Sequence, residues 1–162
     1  MSMCPGMILT ETLKQFDANH LFFCDPIRNN VMNNSYFIRL LYSNALFTLN
    51  GVYLQVPFEV FRLERCYNKF LCFIHSTLQS ETIIQTLNHI EADILARYQK
   101  STHVPTTKTP LYHIRDQLKC GHIKTFSDSE MPVRGLNTFV LKIAGVWETD
   151  TEYGLTYKFS CE

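Results

Sequence analysis

The sequence lacks net charge: 15 Lys and Arg balance 15 Asp and Glu across 162 residues. That excludes a uniformly basic binder of nucleic acid but not a basic face, because attraction depends on local charge. Long apolar runs are missing too. None approaches the about 18 residues of a membrane-spanning helix. The early apolar stretches are broken by Glu11, Lys14 and Asp17, so no secretory signal is expected, and the thiols are expected to be reduced in a cytosolic setting. The six cysteines form no C-x-x-C pair. Cys120 and His122 make a C-x-H with no second pair at ligand spacing, which argues against structural zinc. Gly and Pro number only 6 each, so no collagen-like or long disordered segment is expected.

Catalytic signatures are also missing. There is no G-x-x-x-x-G-K-[ST], G-x-G-x-x-G, G-x-S-x-G or H-E-x-x-H, and the reading is that the chain is not an enzyme. Cys72 and His75 would face opposite sides of a strand, so a Cys–His nucleophile would have to assemble from distant segments. Glu148, Asp150 and Glu152 lack the turn glycine and terminal glutamate of a calcium loop and read as a solvated hairpin tip. No metal or cofactor is expected.

What is abundant is aromatic. Phe (12) and Tyr (8) dominate a 13% aromatic content, a bias toward strands in a chain the length of one domain. After a lead-in over 1–18, with a helical tendency around 10–17, strands are expected at 20–24 and 35–42. Asn50-Gly51 predicts a tight hairpin in which Leu49 faces Val52, Phe47 faces Leu54 and Ala45 faces Val56. Thr48, Tyr53 and Gln55 then fall on the other side. A strand pair over 61–67 and 70–75 follows, turning at Asn68-Lys69. Ile83, Leu87, Ile90, Ile94 and Tyr98, beside Ile84 and Leu95, recur at helical spacing behind a Ser80 N-cap. A loop over 101–110 and a short helix over 112–119, stopped by Gly121, come next. The chain closes with strands over 137–147 and 153–161. Phe139, Leu141, Ile143, Leu155, Tyr157, Phe159 and Cys161 mark one side of that pair, Lys142 and Lys158 the other.

This order suits one domain over 1–162, mainly β with two helices: an OB-fold-like five-stranded antiparallel barrel with decorations, its helix expected between the third and fourth barrel strands. An α+β sandwich is the alternative architecture. Binding single strands needs cations for phosphates and exposed rings for bases. The non-core sides offer Arg39, Tyr53, Arg62, Arg65, Lys69, Lys142, Trp147, Tyr153 and Lys158. Each has a plainer reading. Tyr53 covers a sheet edge, Trp147 plugs the core, the lysines keep strands soluble and Arg39 pairs with an acid.

Three stretches belong together: 29–43 (NNVMNNSYFIRLLYS), 47–54 (FTLNGVYL) and 141–159 (LKIAGVWETDTEYGLTYKF). They cover about a quarter of the chain, and the terminal W-E-x-x-x-x-Y-G-L-T-Y-K-F is their most specific part. Together they resemble the single-stranded DNA-binding proteins of large nucleocytoplasmic DNA viruses, whose core is an OB fold. The resemblance implies sequence-tolerant coating of single-stranded DNA during viral DNA replication, repair or recombination. It also implies a site in the host cytoplasm and viral replication proteins as partners. It leaves open RNA in place of DNA and association of the chain with itself. Arg39, Tyr42, Trp147, Tyr153, Tyr157 and Lys158 lie inside the matching stretches, although Tyr157 falls on the core side by parity. One departure is that these 162 residues hold no acidic tail of the kind many strand-coating proteins use to recruit partners. A protein-interaction module using the same barrel face is the alternative function.

Overall fold

From residue 52 to 60 an apolar side chain stands at every second position, a pattern that hides one side of a strand and exposes the other. The computed structural model, which describes residues 10–28, 34–102, 107–126 and 131–161, builds its barrel on that segment. In chain order it contains β1 (Glu11–Thr12), a 3₁₀ turn (Ala18–His20), β2 (Leu21–Phe23), β3 (Ile27–Arg28), β4 (Tyr36–Ser43) and β5 (Thr48–Leu49). There follow β6 (Val52–Cys66), β7 (Lys69–Ile74), α1 (Leu78–Thr102), β8 (Thr109–Leu111), α2 (His113–Lys119), β9 (His122–Phe126), β10 (Gly135–Glu148) and β11 (Glu152–Cys161).

Strand β6 closes the barrel. Its first part pairs antiparallel with β10, from Val52 opposite Ile143 to Val60 opposite Gly135. The register slips between Val60 and Arg62, and the rest of β6 pairs with β7 as far as Cys66 opposite Lys69. A bulge adds one residue and bends its strand, so one strand serves two neighbours. β7 then pairs with β9, β9 runs parallel to β11, and β11 pairs with β10. The result is the expected OB-fold-like barrel of five strands, with further strands outside it. β4 takes over the edge of β10 from Gly145 to Glu148, and β2, β3 and β5 all pair with β4.

The barrel interior is filled by Leu54, Val56, Phe58, Phe139, Leu141, Ile143, Phe159, Cys72 and Ile123. Helix α1 presses Leu87, Ile90, Ile94, Leu95 and Tyr98 into the same core. Full burial of each such aliphatic side chain contributes about 1.5–3 kcal/mol.

Several local expectations are corrected. Asn50-Gly51 does not make a hairpin between 45–49 and 52–56. Leu49 pairs with Tyr42 of β4, and β6 pairs with β10 instead. Gly51 is still needed as glycine: its φ of 119° is one that L side chains rarely adopt, and a Cβ there would also sit 3.1 Å from the Ile143 carbonyl oxygen. The β6–β7 turn is Tyr67-Asn68, one residue earlier than expected, with Tyr67 at φ 57°. The cap of α1 is Thr77, not Ser80: the Ser80 amide donates to the Thr77 hydroxyl and the Thr77 amide to the Ser80 hydroxyl, a reciprocal cap. In place of a helix within 10–17 there is β1, which pairs with β6. Of the expected 101–110 loop, residues 103–106 lie outside the described residues, and β8 begins at Thr109. Both helices fall between the second and third barrel strands, because the third strand is the short β9, which sequence periodicity did not mark.

Helix α2 begins without a side-chain cap of its own. Glu91 of α1, fully buried, supplies one by accepting from the amides of Ile114 (2.9 Å) and Arg115 (3.0 Å). Desolvation by burial raises the Glu91 pKa above the usual carboxylate range, against the lowering effect of those two bonds. Glu91→Ala should leave donors unsatisfied and cost about 2 kcal/mol in urea unfolding. A raised folded pKa makes the linked stability complete below the unfolded value of about 4.3 and removes it as pH rises through the folded value. The stability of the wild type relative to Glu91→Gln should therefore shrink from pH 4 toward neutrality. A constant difference would contradict this placement of Glu91.

A candidate nucleic-acid interface

On the barrel strands, the residues that do not fill the core point outward. Tyr53 of β6 stands opposite Lys142 of β10, and Lys142 stands opposite Lys158 of β11. On the far side of β11, Phe126 of β9 stands opposite Lys69 of β7. The lysines lean onto the rings: Lys142 Nζ lies 5.6 Å from the Tyr53 centroid, Lys158 Nζ 4.6 Å and Lys69 Nζ 5.3 Å from that of Phe126. Ring, cation, cation, ring and cation thus follow one another around the five strands of the barrel wall, a path of about 19 Å at the usual strand spacing, with Phe126 one position beyond the level of Lys158 because Thr125 pairs with Phe159. None of the five is acidic. Lys142 and Lys158 put two like charges directly opposite each other on this side of the sheet.

The next rows extend this face. Lys124 of β9 is exposed opposite Leu71, and Phe73 of β7 lies between Arg62 and His122. The Arg62 guanidinium sits 4.2 Å from the Phe73 centroid and is ion-paired with Glu64 at 2.5 Å. Arg65 is not part of the face. It shares the core-side parity of Leu63, overhangs the barrel rim, lies 5.7 Å from the Phe70 ring and donates to the Tyr67 carbonyl. The expected trio Arg62, Arg65 and Lys69 therefore divides, with only Arg62 and Lys69 turned outward.

Arg39 and Trp147 also face outward, farther along the β10–β11 ribbon. Arg39 is exposed opposite Gly145, and Trp147 is half-buried between Phe37 on β4 and Gly154 on β11. Tyr153 is a correction. It is 2% exposed and packs in the core against Tyr98, with ring centroids 5.9 Å apart. The alternation that hides Leu155 and Phe159 hides Tyr153 as well, and burial raises its pKa. Tyr42 and Tyr157, which lie in the stretches behind the resemblance, are also turned inward. Burial pushes each up to about 12, and Tyr157 donates to Gln117 of α2. Cys72 is a core thiol pushed up to about 11 by burial, which opposes the thiolate a nucleophile needs.

Sequence reasoning missed Lys124, Phe126, Phe73 and His122. The only available signal was the five-residue alternation of 122–126, too brief to read as a strand without its neighbours. Comparison with protein-family models, curated proteins and solved structures finds no match to this chain.

Tyr153→Ala should cost about 3–5 kcal/mol in chemical denaturation, as for other large buried rings. Lys142→Ala and Lys158→Ala should each change stability by no more than about 0.5 kcal/mol, as for other surface positions. The reverse order would place Tyr153 at the surface and the lysines in structural roles.

Proposed function

We propose that the outer face of the barrel binds single-stranded DNA without sequence preference, in the replication, repair or recombination of a viral genome. The observation that carries this is the Tyr53–Lys142–Lys158–Phe126–Lys69 row. Its lysines would track successive phosphates, and its rings would offer faces on which any base stacks. In OB folds the second and third strands form the face that takes oligonucleotides; here those are β7 and β9, which carry Lys69, Phe73, Lys124 and Phe126. A net charge of zero is compatible with this, since attraction depends on local rather than total charge. Action in the host cytoplasm beside viral replication proteins is part of the same proposal.

A second reading, a protein-interaction module, is favoured by one observation. A groove of about 720 Å³ beside β1 is lined by Leu13, Pro57, Leu78 and Ile83 and would suit an apolar peptide.

Fluorescence polarisation of labelled oligo-dT and of a duplex of equal length, at two salt concentrations, separates the two. Each phosphate contact contributes about 0.7 to the steepness of log K against log salt for single strands. Lys142→Ala/Lys158→Ala should therefore flatten the slope by about 1.4 and weaken oligo-dT at least tenfold, with duplex bound more weakly throughout. Binding unmoved by the double substitution, or equal for duplex, would overturn the assignment. Salt-independent capture of a peptide would favour the second reading.

A further inference from the structure

Beyond the row, the same outer surface carries a second feature. A register slip between Ile143 and Gly145 makes Ala144 the extra residue of β10, so Gly145 and Trp147 face outward on the side of Lys142. On β11, Thr156 and Gly154 continue the side of Lys158. Two rings lie over two glycines there. A Cβ on Gly145 would meet the Phe37 ring at 2.8 Å and the Ile38 carbonyl oxygen at 2.2 Å; one on Gly154 would meet the Trp147 ring at 2.7 Å. Only glycine lets the two rings settle this close to the backbone. Aromatic cover of strand glycines stabilises a ribbon, and it also makes a shelf of π surface outside the barrel. His113 flanks that shelf, its ring 5.6 Å from that of Trp147.

Arg39 lies between the shelf and the lysine pair, exposed and level with Gly145 and Thr156. Thr156 is two residues from Lys158, or about 7 Å along the strand. The acidic turn beyond the shelf begins at Glu148, whose carboxylate is engaged by Lys108 at 2.8 Å and by the Tyr98 hydroxyl at 2.5 Å. The shelf and Arg39 repeat the chemistry of the barrel row, with Phe37 and Arg39 on β4, a strand outside the barrel, and Trp147 at the end of β10 that β4 covers.

We infer that a single strand longer than the barrel face continues along the β10–β11 ribbon, with Arg39 holding a phosphate and the Phe37–Trp147 shelf stacking bases. This extension rests on the function proposed above and adds a second contact region. Trp147 is the only tryptophan in the chain, so its fluorescence reports on the shelf alone.

The test titrates wild type, Arg39→Glu, Arg39→Lys and Lys142→Ala/Lys158→Ala with unlabelled dT6 and dT12, following Trp147 emission, alongside polarisation with labelled oligonucleotides. The inference expects dT12 to quench Trp147 and to bind at least fivefold tighter than dT6. Arg39→Glu should remove that length gain and Arg39→Lys restore most of it, with unchanged thermal melts. If dT12 binds through the lysine pair while Trp147 emission stays constant and Arg39→Glu is neutral, the shelf is overturned and the barrel face stands. If quenching depends on Arg39 but not on the lysine pair, the shelf stands and the barrel face falls. Failure of every oligonucleotide to bind overturns both.

Discussion

The fold depends on one strand having two partners. β6 lies against β10 until Val60, bends at the bulge and finishes against β7. Without that bend the sheet would be an open ribbon, with no reason for Val52, Leu54, Val56 and Phe58 to meet Ile123 and Phe159 in one core. Closure imposes a rule on the other barrel strands: a side chain either fills the interior or stands on the outside. The lysines and rings of the row are those that the rule turns outward.

The outward side shows how a protein of zero net charge can carry cations together on one surface. Lys142 and Lys158 oppose each other directly, and Lys69 reaches the ring that Lys158 also covers. Acids do occur near this surface, as Glu64 shows, but Glu64 is engaged by Arg62. Total charge therefore says little here, and arrangement says more.

Much of this was legible because alternation is a local signal. The inward and outward sides of β10 and β11 follow from period two alone, and the buried stripe of α1 follows from Ile83, Leu87, Ile90 and Ile94. Tyr153 was open to the same logic, since it shares the parity of Leu155; its place beside a turn obscured that. Features set by partners rather than by local sequence were not legible. Asn50-Gly51 carries the composition of a tight hairpin, yet the strand after it is claimed by β10. β9 is five residues long and is a strand only because β7 and β11 flank it. Phe126, the ring between two lysines, was therefore invisible, as was the shelf, which needs Gly145 and Gly154 to be seen against rings on neighbouring strands.

The central claim is that single-stranded DNA lies across the lysine and ring row. Lysine acetylation footprinting with and without oligo-dT, read by mass spectrometry, tests it most directly, because the chain carries its own controls. Lys69, Lys142 and Lys158 should be protected, while Lys100 on α1 and Lys119 on α2, both exposed and away from the row, should react as before. Protection of Lys100 and Lys119 with the row left reactive would contradict the account.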